Sequence, residues 1–112
     1  MFLISEITNE PAQEHTFNIP GRERAVFTIV FRPEQFGWFY SLNWGSFVLN
    51  NSRIVFSQNL LRQFKNIIPF GIAVTTNNKL DPLTIDAFSS GVAQLYLLSA
   101  DEVEDLEETY YG

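Results

Sequence analysis

The chain has 112 residues, 46% of them hydrophobic and 18% charged, the size and composition of one globular domain that can bury its own core. It has no cysteine, which excludes disulfides and thiolate metal sites. The net charge of −6 is local: residues 101–108, "DEVEDLEE", hold six of the thirteen acids and no base, so the rest of the chain is neutral and lacks the basic surplus that a phosphate backbone calls for.

Met1 is followed by "FLISEITNEP", whose short apolar run has no base before it and does not make a signal peptide. No window approaches the length needed to span a bilayer, so a soluble protein is expected. Residues 1–14 read as an N-terminal extension. "HTFNI" (His15 to Ile19) reads as a short strand closed by Pro20-Gly21. "RAVFTIVFR" (Arg24 to Arg32) is β-branched and aromatic and stops at Pro33, which predicts a strand. Its alternation puts Ala25, Phe27, Ile29 and Phe31 on one face and Val26, Thr28 and Val30 on the other. A strand apolar on both faces is expected to be covered on both, inside the domain or by a partner.

"PEQFG" makes a turn. "WFYSLNW" (Trp38 to Trp44) then alternates, with Trp38, Tyr40, Leu42 and Trp44 on one side and Phe39, Ser41 and Asn43 on the other. Gly45 allows a tight turn, "FVL" follows, Asn50-Asn51 offers another turn, and "RIVF" (Arg53 to Phe56) returns. "SQNLLRQFKNII" (Ser57 to Ile68) fits helical spacing with Ser57 as a cap, and equally a single helical turn or an irregular connection cut short by Pro69. "FGIAVTT" is a strand, "KLDPLTIDAFSSG" (Lys79 to Gly91) a long loop, and "VAQLYLL" (Val92 to Leu98) the last strand. The chain then changes character. Ser99 and Glu102 form a capping box, and Val103, Leu106 and Tyr110 make an apolar stripe on an acidic helix. These elements predict an all-β fold: a small single-domain β-barrel or sandwich over 1–112, with about six or seven mostly antiparallel strands and a short acidic C-terminal helix within a tail at 99–112.

Chemistry is sparse. The one histidine, His15, reads as an ordinary surface residue. Asp81 and Asp86 lack the spacing and glycine of a calcium loop and read as turn-forming aspartates. No serine has the context of a hydrolase nucleophile, and no glycine-rich loop cradles phosphate. No catalytic residue, cofactor or metal ligand is assigned. The aromatics at Trp38, Tyr40 and Trp44 read as core or subunit interface.

The order of features resembles a known family. "HTFNIPGRERAVFTIVFR" leads into "GWFYSLNW", followed by "NLL" (Asn59 to Leu61), "FGIAV", a "DPLTIDAF" loop and a closing "AQLYLLSADEV". From about Phe17 to Val103 this resembles the baseplate plug proteins of contractile-tailed bacteriophages, including those of cyanophages. The resemblance implies a non-enzymatic structural part of the virion, made in the host cytoplasm and placed at the baseplate centre. The implied partners are tail hub and spike proteins in a symmetric multi-subunit assembly, with no nucleic acid and no membrane. Residues expected at protein contacts are Phe27, Ile29 and Phe31 on the Arg24 to Arg32 strand, and Val103, Leu106, Tyr110 and Tyr111 on the tail. Two other functions compete. One is a small β-barrel binding module whose ligand pocket is lined by Trp38, Tyr40 and Trp44. The other is a hydrolase using carboxylates such as Asp81 and Asp86.

Overall fold

The computed structural model describes residues 2–4, 7–19, 22–77 and 79–111, with side chains through residue 109. Among these residues seven strands form two antiparallel sheets. The first sheet has the order β2-β3-β4-β5, built from β2 (Ala12–Asn18), β3 (Arg24–Arg32), β4 (Gly37–Trp44) and β5 (Phe47–Arg53). The second has the order β1-β7-β6, from β1 (Phe2–Ile4), β7 (Ala93–Leu98) and β6 (Gly71–Thr76). The sheets do not close into a barrel, so the fold is a sandwich. Helix α1 (Ala100–Leu106) follows β7 directly. Among the described residues no helix is long and apolar enough to cross a membrane.

Period-two alternation fixes which side chains meet. In β3 and β4, Ala25, Phe27, Ile29, Trp38, Tyr40 and Leu42 are buried and face Ile72, Val74 and Leu95 of the other sheet. Aromatic rings meet in two groups: Phe17 to Phe27 at 5.8 Å and Phe27 to Tyr40 at 5.5 Å, tilted, and Trp38 to Phe31 at 5.4 Å, tilted, and to Phe88 at 5.6 Å, edge-on. Each such pair contributes roughly 0.5–1.5 kcal/mol beyond its buried area. The other parity of the same strands, Val26, Thr28, Val30, Phe39 and Ser41, is half-exposed on the outer face.

Two local expectations are corrected. Asn50-Asn51 is no turn: β5 runs unbroken from Phe47 to Arg53. The register slips between Tyr40 and Leu42, and Asn51 takes up the extra residue at φ 55°. The N-terminal extension is partly sheet, because Phe2 to Ile4 pair with Leu97 to Leu95 and Ala12 to Glu14 open β2. Of the readings open for the segment after Ser57, the structure shows the irregular connection, with one 3₁₀ turn, Arg62–Phe64. Buried Asn59 organises it. Its Oδ1 accepts from the backbone N–H of Leu61 at 3.0 Å and of Ile72 at 3.1 Å, tying the connection to the start of β6. A Cβ on Gly71 would lie 2.6 Å from that oxygen, so glycine is required there.

The helix forms where the sequence predicts it. Glu102 N–H donates to Ser99 Oγ, and Ser99 N–H donates to Glu102 Oε1. Val103 is buried against Ala73 and Leu98, with Tyr96 and Leu106 beside it, so α1 covers the outer face of β6 and β7. The chain continues in a wider turn, Glu107–Tyr111, where acids oppose the helix dipole. Glu107 resolves its share of that conflict by pairing with Lys65 at 2.6 Å and Arg62 at 2.9 Å. The hydrogen bond from Lys65, aided by Arg62, holds its carboxyl below the usual range.

Candidate protein-interaction site

The turn between β3 and β4 is built to present one ring. Pro33 ends the strand and opens a 3₁₀ turn, Pro33–Gln35, and Phe36 N–H donates back to Pro33 O at 3.2 Å. Phe36 itself sits at φ 50°, ψ 54°, the left-handed region, with its side chain 70% exposed. That backbone costs a non-glycine residue about 1–2 kcal/mol. Arg53 holds it in place. Its guanidinium donates to Gln35 O at 3.1 Å and to Phe36 O at 2.8 Å. It reaches them by crossing Gly37, where a Cβ would lie 2.7 Å from Nη2. A bulky residue in a strained conformation with its ring in solvent has no packing reason to be there; such outliers point toward function.

The loop between β6 and β7 brings further apolar groups to the same end of the sandwich. Trp38 Nε1 donates to Thr84 O at 3.0 Å, Phe56 N–H to Asp81 Oδ1 at 2.8 Å, and Thr76 Oγ1 to Leu80 O at 2.8 Å. Fixed by these bonds, the loop leaves Leu80, Leu83 and Ile85 at 63%, 48% and 40% exposure. Asp81 is therefore a loop-anchoring aspartate, as its sequence context predicts. Among the described residues no group of three or more His, Asp or Glu side chains is placed to hold a metal ion.

The residues expected at contacts fall elsewhere. Phe27 and Ile29 are fully buried in the chain's own core and have no surface to offer a partner. Phe31 is half-buried against Trp38. Val103 and Leu106 use the tail's apolar stripe on β6 and β7 of the same chain. The side chains of Tyr110 and Tyr111 lie outside the described residues. Trp38 and Tyr40 are buried in the core between the sheets. Burial pushes the Tyr40 phenol up to about 12, against the opposing effect of its bond with Ser52. Trp44 borders a depression of about 490 Å³ shared with Arg22, Glu23, Ser46, Phe47 and Ile67. Its indole is already engaged, donating to Glu23 O and meeting Phe70 edge-on. A larger groove of about 790 Å³ runs between the end of β2 and the start of α1, with Phe17, Phe70 and Leu97 in its floor.

Sequence reading missed Phe36 and the loop leucines. The signal for Phe36 was present: a phenylalanine between Pro33 and Gly37, in a turn where a polar residue or glycine is the usual choice. No family model matches the chain, and no curated protein matches it.

Proposed function

We propose that the chain is a structural component of a phage tail baseplate, a plug-like protein at the baseplate centre that docks onto tail hub and spike proteins. The order of motifs from Phe17 to Val103 supports the assembly, and one structural observation carries the docking. Phe36 is an exposed aromatic residue on a left-handed backbone that Arg53 holds, set at the same end of the sandwich as Leu80, Leu83 and Ile85. Pre-organised aromatic anchors dominate contact energies because little entropy is lost when they bind. The reading moves the contact from the strand faces to a turn and a loop.

The test is co-expression of the full chain with the hub and spike proteins of the same phage, followed by purification on a tagged hub. The wild-type chain is retained, and Phe36→Gly and Leu83→Ser weaken retention at least tenfold. A wild-type chain that elutes apart from both hub and spike overturns the proposal.

A further inference from the structure

The two outer faces of the sandwich differ. Helix α1 covers one, over β6 and β7. The other, over β3 and β4, carries the half-exposed Val26, Thr28, Val30 and Phe39. On this second face the Phe39 ring holds two cations. Arg32 Cζ is 5.1 Å and Arg53 Cζ 5.3 Å from the ring centroid. Arg32 donates to Asn51 Oδ1 at 2.7 Å, and Arg53 to the carbonyls of Gln35 and Phe36. Every one of these acceptors is neutral. Among the described residues neither guanidinium has a carboxylate at ion-pair distance. Arg24 lies on the same parity of β3, while Glu14 is the acid on that face and Glu34 the acid of the adjoining turn. In a chain of net charge −6, this is a small, fixed, positive patch on an apolar sheet.

The complementary chemistry is on the opposite side of the same molecule. Asp101, Glu104 and Asp105 are exposed, at the i, i+3, i+4 spacing that aligns side chains along one face of α1, and exposed Glu108 follows in the wider turn. Val103 and Leu106 turn the other way, onto the chain's own sheet. The stripe rises about 6 Å along α1 from Asp101 to Asp105. Its carboxylates therefore meet two adjacent guanidiniums without bending, in the paired geometry that arginine favours. The chain's own helix cannot reach the patch, because the two sheets lie between them.

We infer that the Arg32–Phe39–Arg53 face docks the acidic C-terminal helix of a second copy of this chain. The two surfaces are different and lie on opposite faces, so the contact is heterologous and propagates into a ring or an open row. Self-association of this kind requires no tail protein.

Purified full-length chain is tested by light scattering over a concentration series, at about 50 mM and about 500 mM salt. At low salt the mass rises above the 12.9 kDa of one copy, and high salt returns it to that value. Arg32→Glu alone, and Glu104→Lys with Asp105→Lys alone, each weaken association at least tenfold with unchanged circular dichroism. An equimolar mixture of the two variants associates again, because the intact helix of one meets the intact face of the other. A wild-type chain that stays at one copy in low salt overturns the inference, as does an Arg32→Glu chain that associates like wild type. A monomeric chain that needs Arg32 to hold a hub or spike protein also overturns it and assigns the face to that partner. Loss of hub binding in Phe36→Gly, with self-association intact, separates the two surfaces.

Discussion

Phe36→Gly separates the cost of a backbone from the worth of a ring. The left-handed conformation costs phenylalanine about 1–2 kcal/mol, and glycine is relieved of it. The ring is 70% exposed, so glycine loses little burial. A fully buried phenylalanine is worth about 1.5–3 kcal/mol, and the covered third of this one is worth ~0.5–1 kcal/mol. Less glycine's entropy cost of about 0.5–1 kcal/mol, the balance predicts a chain within about 1 kcal/mol of wild type. Phe36→Ala keeps the strained backbone and removes the ring, so it falls below Phe36→Gly by about 1 kcal/mol. Phe27→Ala, at a fully buried ring of the same type, loses about 3–5 kcal/mol. Urea unfolding followed by tryptophan fluorescence measures all three, since Trp38 is buried and reports the core. A Phe36→Gly chain that loses more than about 1 kcal/mol refutes the reasoning, because the ring would then be packed on the protein rather than presented to a partner.

Asn59→Ala leaves the N–H groups of Leu61 and Ile72 unpaired in the interior, at about 1–3 kcal/mol each, and urea unfolding shows the loss. The raised Tyr40 phenol means the folded chain keeps its proton while the unfolded chain releases it. Stability therefore falls between pH 10 and about 12, by up to about 1.4 kcal/mol per pH unit, and Tyr40→Phe removes that slope in unfolding titrations. Val103→Asp sets a charge against Ala73 and Leu98 and undocks α1, so far-ultraviolet circular dichroism loses its helical part while tryptophan emission stays native. The lowered carboxyl of Glu107 gives stability that is complete above the ordinary carboxylate range and lost as pH falls through its depressed value. Glu107→Gln therefore flattens the acid limb of helix docking, read by hydrogen exchange in α1.

What the sequence shows of this fold depends on whether a pattern has one reading or two. The alternation from Trp38 to Trp44 has one, because its second parity contains Ser41 and Asn43, and the structure buries Trp38, Tyr40 and Leu42 accordingly. The Arg24 to Arg32 strand has two. Both parities are apolar, so periodicity shows that one faces the core without showing which face has surface to spare. Phe27 and Ile29 turned out to be core, and the half-exposed residues are Val26, Thr28 and Val30. Asn50-Asn51 is ambiguous in another way. A left-handed asparagine serves a bulge as readily as a turn, and only pairing with β4 decides between them. β1 is three residues long and exists because β7 offers an edge, a tertiary fact with no local signature. The capping box at Ser99 and Glu102 is wholly local and was legible for that reason.

The strand that is apolar on both faces is covered by the chain itself on its inner face only, and its outer face stays half-exposed. The large rings of the central strands are largely inside the chain, while the exposed apolar groups include Phe36 in a turn, Leu80, Leu83 and Ile85 in a loop, and Phe2, Leu3 and Val48 on strands β1 and β5. Arg53 joins this end of the molecule to the outer sheet face. One guanidinium bonds the Phe36 carbonyl and lies over the Phe39 ring. Removing it would release the strained turn and also take one of the two charges from the patch. An Arg53 substitution therefore cannot tell docking through Phe36 from docking through the sheet face. Arg32 and Phe36 can, because Arg32 bonds Asn51 and lies over Phe39, whereas the bonds of the Phe36 turn come from Arg53. A partner seated on either surface restrains the same guanidinium. Occupancy of one therefore stiffens the other, and the measurable sign is slower exchange of the Phe36 amide when the Arg32 face is covered.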